Sequence, residues 1–375
     1  MKKIMWMLSL AVVFILGQAR CYGKTAGSMT IYFIDVGSGT ACLIVSPSGQ
    51  SMLIDTGIPD EAKRVLEVIR QAGVKQLDYM VVSHYHLDHY GGVSYLAQNI
   101  RIVNFVDHGL NVEYGKSDEW WRERRAPIFH SGYAKEVDAQ YDAYQKVLST
   151  GHHMVVKAGD TIPIQGIDVA VVTSAGKSLS HALQGAGNPN PACADVKLRA
   201  EDKADDAQSI GLLVSNGKFR FINLADLTWD SSYRLFCPDN KVGTADVYMF
   251  THHGDSLKES LGPNLWGLSC CSKAEVYGLH PRVAILSLGS MGLREYGSGD
   301  ALKLVKNAPG LEDVWQTNYI TGGIEKEYNA SKEHCANVGT TDDKPGFIKL
   351  VSDPNGSFTV INGRNGLTKH YSPPG

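Results

Sequence analysis

Four side chains able to hold a metal ion fall within six positions of this chain: His84, His86, Asp88 and His89, in the segment Ser83-His84-Tyr85-His86-Leu87-Asp88-His89-Tyr90-Gly91-Gly92. Residues 77–82 before it are apolar and read as a short strand. Residues two apart on an extended segment point the same way, so His84 and His86 can grasp one ion. Asp88 and His89 then project to a neighbouring position, where a second ion can sit. The glycine pair permits a tight turn into the next element. This chain therefore needs a fold in which a buried strand delivers its end to a cleft.

The surrounding pattern is consistent with that demand. Residues 29–36, 41–45 and 51–54 read as a meander of three strands, with turns at Gly37-Ser38-Gly39 and Ser46-Pro47-Ser48-Gly49. Over 61–71, Ala62, Val65, Leu66 and Ile69 share one helical face, and Gly73 closes the helix. Two hairpins are expected, 161–164 with 168–173 and 209–215 with 218–224, the second turning at Asn216-Gly217. Residues 246–251 form a strand that enters a second histidine cluster, His252-His253; 282–288 is another strand, 299–307 looks helical, and strands near 346–351 and 357–361 end the chain. Meanders interleaved with a few helices suggest two packed sheets with helices outside. Stretches 108–135, 175–207 and 321–345 carry little periodicity and read as surface insertions that shape a cleft. Nothing marks a linker, so 20–375 reads as a single domain.

Charge and targeting narrow the function classes. With 36 Lys plus Arg against 39 Asp plus Glu, the net charge of −3 argues against a protein that works only by coating nucleic acid. Lys2 and Lys3 precede an apolar run over 4–16 and then Gly17-Gln18-Ala19, the pattern of a secretory signal cut after Ala19. The run is short for a membrane span. The expected mature chain is secreted or periplasmic, with no membrane contact after signal removal. Cys21 follows Arg20 rather than the small residue a lipid-anchor site needs. An exported chain can keep disulfides. Of the seven cysteines, Cys42 is the expected buried thiol, and Cys270 and Cys271 could pair with Cys335, Cys237 or Cys193, the connectivity being open. No C-x-x-C pair suggests a zinc ribbon.

On these motifs the chain resembles the metallo-β-lactamase fold superfamily, whose signature is H-x-H-x-D-H after a strand. Asp55-Thr56-Gly57 is similar to its first motif, where the aspartate supports the histidine loop. Asn223-Leu224-Ala225-Asp226 ends a strand where the superfamily places a metal-bridging aspartate, and Phe250-Thr251-His252-His253-Gly254-Asp255 lies where its last histidine ligand falls. Within the superfamily the chain looks most like the hydrolase domain of the competence protein ComEC and its secreted relatives. That likeness rests on Phe33-Ile34-Asp35-Val36-Gly37-Ser38-Gly39 and on His252-His253-Gly254-Asp255, and spans most of 29–310.

The resemblance implies an α/β fold, a four-layer αββα sandwich, and two divalent metal ions. His84 and His86 would hold the first ion, Asp88, His89 and His252 the second, and Asp226 would bridge both. His252 is preferred to His253 because alternation along an extended chain turns the second histidine to another side. His253 would then line the cleft as a hydrogen-bond donor or proton carrier, or exchange roles with His252. Asp88 and His253 are the expected catalytic groups. Many relatives supply a further histidine to the first ion; here water, or an inserted residue such as His181 or His130, would complete it. At Tyr296-Gly297-Ser298-Gly299-Asp300 the sequence departs from the ComEC-like pattern, which has histidines after Tyr-Gly. Imidazole and carboxylate ligands without thiolate suit zinc, and manganese would also fit.

The implied activity is hydrolysis by a hydroxide bridging two ions, on phosphodiesters, small or polymeric, with nucleic acid entering only as a substrate. Alternatives are a lactone, β-lactam or other amide or ester hydrolase on the same fold, and a non-catalytic binding module with a vestigial site. Tyr114, Trp120, Trp121 and Tyr133 beside Arg122, Arg124 and Arg125 either stack bases along a phosphate strand or form a surface helix that buries its tryptophans. Oligomeric state is left open.

Overall fold

Every residue of the strand Met29–Ile34 is buried, which requires cover on both faces of its sheet. Alternation sends its side chains to two cores. Met29, Ile31 and Phe33 enter a core shared with Phe219, Phe221, Val247, Met249 and Ile285 of a second sheet. Tyr32 and Ile34 face the other way, with Val65 and Ile69 from one helix, Val93 and Leu96 from another and Tyr144 from a third. The second sheet repeats this arrangement: Ile222, Tyr248, Ala284 and Leu286 turn outward onto Leu235, Val276, Leu279 and Leu302 of its own helices. The computed structural model is thus a four-layer αββα sandwich; it describes residues 27–37, 39–125, 131–254, 270–287, 300–320, 329–339 and 345–373. The signal segment 1–19, Cys21, His130, Ser298 and most of the Tyr296–Asp300 motif lie outside the described residues.

The first sheet runs in the order Thr368–Tyr371, Phe358–Asn362, Phe347–Ser352, Met29–Ile34, Cys42–Val45, Ser51–Ile54, Gln76–Val81, Arg101–Asp107, His152–Val155. The second runs Cys335–Asn337, Asp313–Asn318, Val283–Leu286, Val247–Met249, Phe219–Asn223, Gly211–Asn216, Asp168–Ser174, Lys177–Ser178. Ser51–Ile54, Gln76–Val81 and Arg101–Asp107 are parallel, as are Phe219–Asn223, Val247–Met249 and Val283–Leu286. Each parallel set brings its carboxyl ends to one edge, where α/β folds place ligands. Asp55 and Ser83-His84 leave the first set there, and Asp226, Thr251-His252-His253 and Ser287 leave the second.

Several expected elements differ. The hairpin over 161–173 is reduced to a single bridge, Thr161 to Ala170, because Pro163 has no N–H to extend the ladder. The hairpin Gly211–Asn216 with Phe219–Asn223 forms, but Asn216 pairs with Phe219, so its two-residue loop is Gly217-Lys218. Stretch 108–135 is not structureless: it holds the helix Asp118–Arg125 and opens the helix Tyr133–Leu148. That longer helix carries the stripe Ala134, Val137, Tyr141, Tyr144 and Leu148, spaced i, i+3, i+7 and made partly of tyrosines, which hides it from an apolar pattern. Stretch 175–207 ends with Asp205 and Asp206 fully buried, so it is not wholly a surface insertion. In 321–345 the strand Cys335–Asn337 joins the second sheet. Among the described residues, no helix is long and apolar enough to cross a membrane.

The pairing expected for Cys270 or Cys271 is corrected: the disulfide is Cys193–Cys237, while Cys42, Cys270, Cys271 and Cys335 are buried thiols. It ties the 175–207 stretch to the end of the helix Trp229–Phe236. With its cysteines 44 positions apart in sequence, replacing both by serine should cost about 2–4 kcal/mol of stability. Urea unfolding of the double variant measures this; an unchanged midpoint would mean that apolar packing alone holds the stretch.

Candidate metal centre

Asp55 organises the approach to the cleft. Its carboxylate accepts from Ser83 N at 2.8 Å, Ser83 Oγ at 2.7 Å and Thr40 Oγ1 at 3.0 Å. The same carboxylate lies 2.8 Å from His89 Nδ1. Asp55 adopts φ 60, a left-handed conformation that L residues enter at a cost. Gly39 allows the opposite wall to close in: with φ 85, a Cβ there would lie 1.6 Å from the Asp88 carbonyl oxygen.

Five imidazoles and three carboxylates converge at the strand ends. His84 Nε2 is 3.0 Å from His86 Nδ1, and Asp206 Oδ1 lies 2.8 Å from His86 Nδ1 and 3.5 Å from His84 Nε2. His89 Nε2 and His253 Nε2 are 3.3 Å apart, with Asp88 Oδ2 3.5 Å from His253. Asp226 Oδ2 sits between these groups, 3.2 Å from His89 Nε2, 3.4 Å from His253 Nε2, 3.5 Å from His252 Nε2 and 4.0 Å from His84 Nε2. Four overlapping sets have their ligand atoms within 4.8 Å of one another: His84-His86-Asp206, Asp206-Asp226-His252, His84-His89-Asp226 and Asp88-His89-His253.

The outer nitrogens of four imidazoles are occupied by acceptors. His89 Nδ1 meets Asp55, His86 Nε2 meets Glu113 Oε2 at 2.9 Å, and His253 Nδ1 meets the Ser287 carbonyl at 3.2 Å. Ser83 Oγ spends its proton on Asp55, so at 3.1 Å it accepts from His84 Nδ1. Each outer nitrogen therefore carries a hydrogen, and in the neutral ring each inner nitrogen presents a lone pair to its neighbours. Lone pairs facing one another repel unless a cation or a proton lies between them, and partners of this kind orient metal-bound histidines. Asp226 Oδ1 is buried with no hydrogen-bond partner among the described residues, an orphan acceptor that a cation would satisfy.

Burial makes the chain alone electrostatically expensive. Burial opposes ionisation of Asp226, but His253, His89 and His252 outweigh it and hold the carboxyl well below the usual range. Burial likewise disfavours protonated His89, yet Asp226, Asp88 and Asp55 push it up to about 10. His84, buried beside His89 and His86, is held below the ordinary imidazole value. A bound cation would have to displace protons held this way.

The ligand-type residues expected from the sequence, His84, His86, Asp88, His89, Asp226 and His252, all face this cleft, with His253 among them. Their grouping differs from expectation in one respect: His253, not His252, stands with Asp88 and His89, and His252 stands with Asp206 and Asp226. The strand stops at Met249, and His252 and His253 both take left-handed backbone, φ 47 and φ 54. Alternation does not apply there, so both rings turn inward. His181 is exposed and bonded to Ser180 Oγ, away from these groups. The residue that joins His84 and His86 is Asp206, which lies in a segment that resembles a ComEC-like Asp-before-Ser position but was not among the expected ligands. Glu113, the partner of His86, was also missed; a buried acid within an exposed polar stretch leaves no periodic signal. Trp121 is 1% exposed and packs with Leu87, Trp120 and Tyr133, so this tryptophan serves packing rather than base stacking.

Residues 34–173 match the metallo-beta-lactamase superfamily. No curated protein matches the sequence. Among solved structures, the chain is similar to the metallo-beta-lactamase fold protein YhfI from Bacillus subtilis, at 13% identity and TM-score 0.42, over 77% of this chain and 96% of that one. A diphosphatase of the PhnP family is similar at 13% identity and TM-score 0.39, over 76% and 94%. Zn(2+)-bound PqqB from Methylobacterium extorquens is similar at 14% identity and TM-score 0.37, over 67% and 77%.

Replacing Asp55 by alanine should strand Ser83 N, Ser83 Oγ, Thr40 Oγ1 and His89 Nδ1 together. The expected losses are about 2–4 kcal/mol of stability and roughly 10–100-fold in metal affinity. Calorimetric melting with a metal titration checks both, and a variant that melts and binds like the parent would remove Asp55 from its supporting role.

Proposed function

We propose that this chain is an exported hydrolase that holds two divalent ions and cleaves phosphodiesters. One observation carries the metal reading: five imidazoles and three carboxylates converge, four of the imidazoles have acceptors on their outer nitrogens, and Asp226 Oδ1 is left without a partner among the described residues. His84, His86, Asp206 and His252 would hold the first ion, Asp88, His89 and His253 the second, and Asp226 would face both. Bound together, two such ions supply Lewis acidity and a water that ionises near neutral pH. The imidazole-rich donor set suits zinc, and the three carboxylates also accommodate manganese.

The chain's own residues then divide the work. Asp55, Glu113, Ser83 and the Ser287 carbonyl fix the tautomers and keep the inner nitrogens aimed. Asp88, whose side chain is 31% exposed, stands at the solvent side of the set, where its carboxylate can orient an attacking water and accept its proton. The exposure of Asp88 against full burial of His84 and His89 gives the site a wet mouth and a dry floor. The phosphodiester assignment and the ComEC-like subtype are supported by the motifs Phe33–Gly39 and His252-His253-Gly254. Export is supported by the segment 1–19, and the single-domain reading of 20–375 by the lack of a linker-like stretch.

Purified full-length protein should carry two ions per chain by emission spectroscopy and hydrolyse a model phosphodiester. His253→Ala and His252→Ala should each retain only one ion and lose nearly all turnover, since each belongs to a different group. If His253→Ala kept both ions and lost only rate, roughly 10²–10⁴-fold, His253 would be a proton carrier instead. Rapid lactone or β-lactam hydrolysis without phosphodiester cleavage would overturn the substrate class while leaving the metal centre standing.

A further inference from the structure

A buried polar cluster sits directly behind the His252-His253 turn. Thr251 Oγ1 and Tyr248 OH both donate to Glu275 Oε1, at 2.6 and 2.7 Å, and Ser232 Oγ donates to Glu275 Oε2 at 2.5 Å. Thr251 N donates to Tyr248 OH at 3.1 Å. Cys271 joins this cluster: its sulfur lies 3.2 Å from Tyr248 OH and donates to the Thr251 carbonyl at 3.5 Å. The thiol therefore holds the residue immediately before the two histidines. Beside it, Cys270 Sγ is 2.7 Å from Cys271 Sγ, and the two residues are 3% and 2% exposed. That separation is well inside ordinary sulfur contact, and a bond of about 2.05 Å needs a closure of only roughly 0.7 Å. The same apolar cluster contains Cys237, bonded to Cys193, so these surroundings already hold one oxidised pair.

We propose that Cys270 and Cys271 are a two-electron redox site, closed to a disulfide between neighbours by a small-molecule disulfide, and that closure loosens the His252-His253 turn. The thiolate of one cysteine attacks the external disulfide RSSR, forming a mixed disulfide and releasing the first RS⁻, which takes up that cysteine's proton. The second cysteine's thiolate attacks the protein sulfur of the mixed disulfide and releases the second RS⁻, which takes up the remaining proton. Two protein thiols are oxidised, and one RSSR is reduced to two RSH. The new bond consumes the Cys271 S–H, so the Thr251 carbonyl loses that donor. The turn then rests on Thr251 through Glu275 and Tyr248, and on the bond from His252 N to the Ala225 carbonyl at 2.8 Å. This inference does not depend on which ions or substrates the centre takes.

The test compares full-length protein equilibrated with oxidised and with reduced glutathione. Peptide mapping should find the Cys270-Cys271 peptide lighter by two hydrogens and resistant to alkylation only after oxidation, with Cys193–Cys237 intact. Hydrogen exchange across 248–254 should then quicken on the order of five- to tenfold, the loss of one modest hydrogen bond. Cys270→Ser, which keeps the Cys271 thiol, should show no response to the oxidant. The proposal is overturned if both thiols stay alkylatable, if only glutathione adducts form, if the pair bonds instead to Cys193 or Cys237, or if the bond forms with exchange unchanged.

Discussion

The Asp55 carboxylate is the interaction on which the cleft depends. It joins the end of one strand to the backbone and hydroxyl of Ser83, where the next strand ends, and to the ring of His89 five residues beyond His84. Two segments far apart in sequence, around Asp55 and around Ser83–His89, are thereby set in one frame. Because Ser83 Oγ gives its proton to Asp55, it is left as the acceptor for His84, so one carboxylate orients two imidazoles. The left-handed backbone of Asp55 is tolerated because these bonds and the parallel pairing of its strand over-determine it.

The second sheet answers with a strained turn of its own. Ala225, His252 and His253 all have positive φ, and each such residue costs on the order of 1–2 kcal/mol. The strain is what allows two adjacent histidines to face the same point. Glu275, buried with Ser232, Tyr248 and Thr251 donating to it, braces the turn from behind. The centre is thus built from two rigid sheet edges, each carrying one distorted connection.

Much of this was legible along the chain. The meander, the helix Ala62–Gln71, the strand before His84 and the strand before the second histidine cluster follow from local apolar periodicity. Local spacing also marked His84, His86, Asp88 and His89 as a ligand cluster. The helix Tyr133–Leu148 was obscured because tyrosines carry much of its stripe. Pro163 turned an expected strand into one bridge, a competition between β-propensity and a missing N–H that side-chain pattern alone does not resolve.

What the sequence by itself determined is the set of chemistries that neighbours along the chain can declare: ligand types two to five residues apart, strand ends, and the order of the motifs. What only the tertiary structure decided is partnership across distance. Asp206 meets His86 across 120 residues, Glu113 buttresses that same histidine from an otherwise exposed stretch, and Cys237 bonds to Cys193 rather than to Cys270 or Cys271. The assignment of His253 to Asp88 and His89, and of His252 to Asp206, likewise appears only in three dimensions. The reason is geometric: periodicity predicts where a side chain points while the backbone is regular, and at a left-handed turn or at the buried end of a long loop that rule no longer operates.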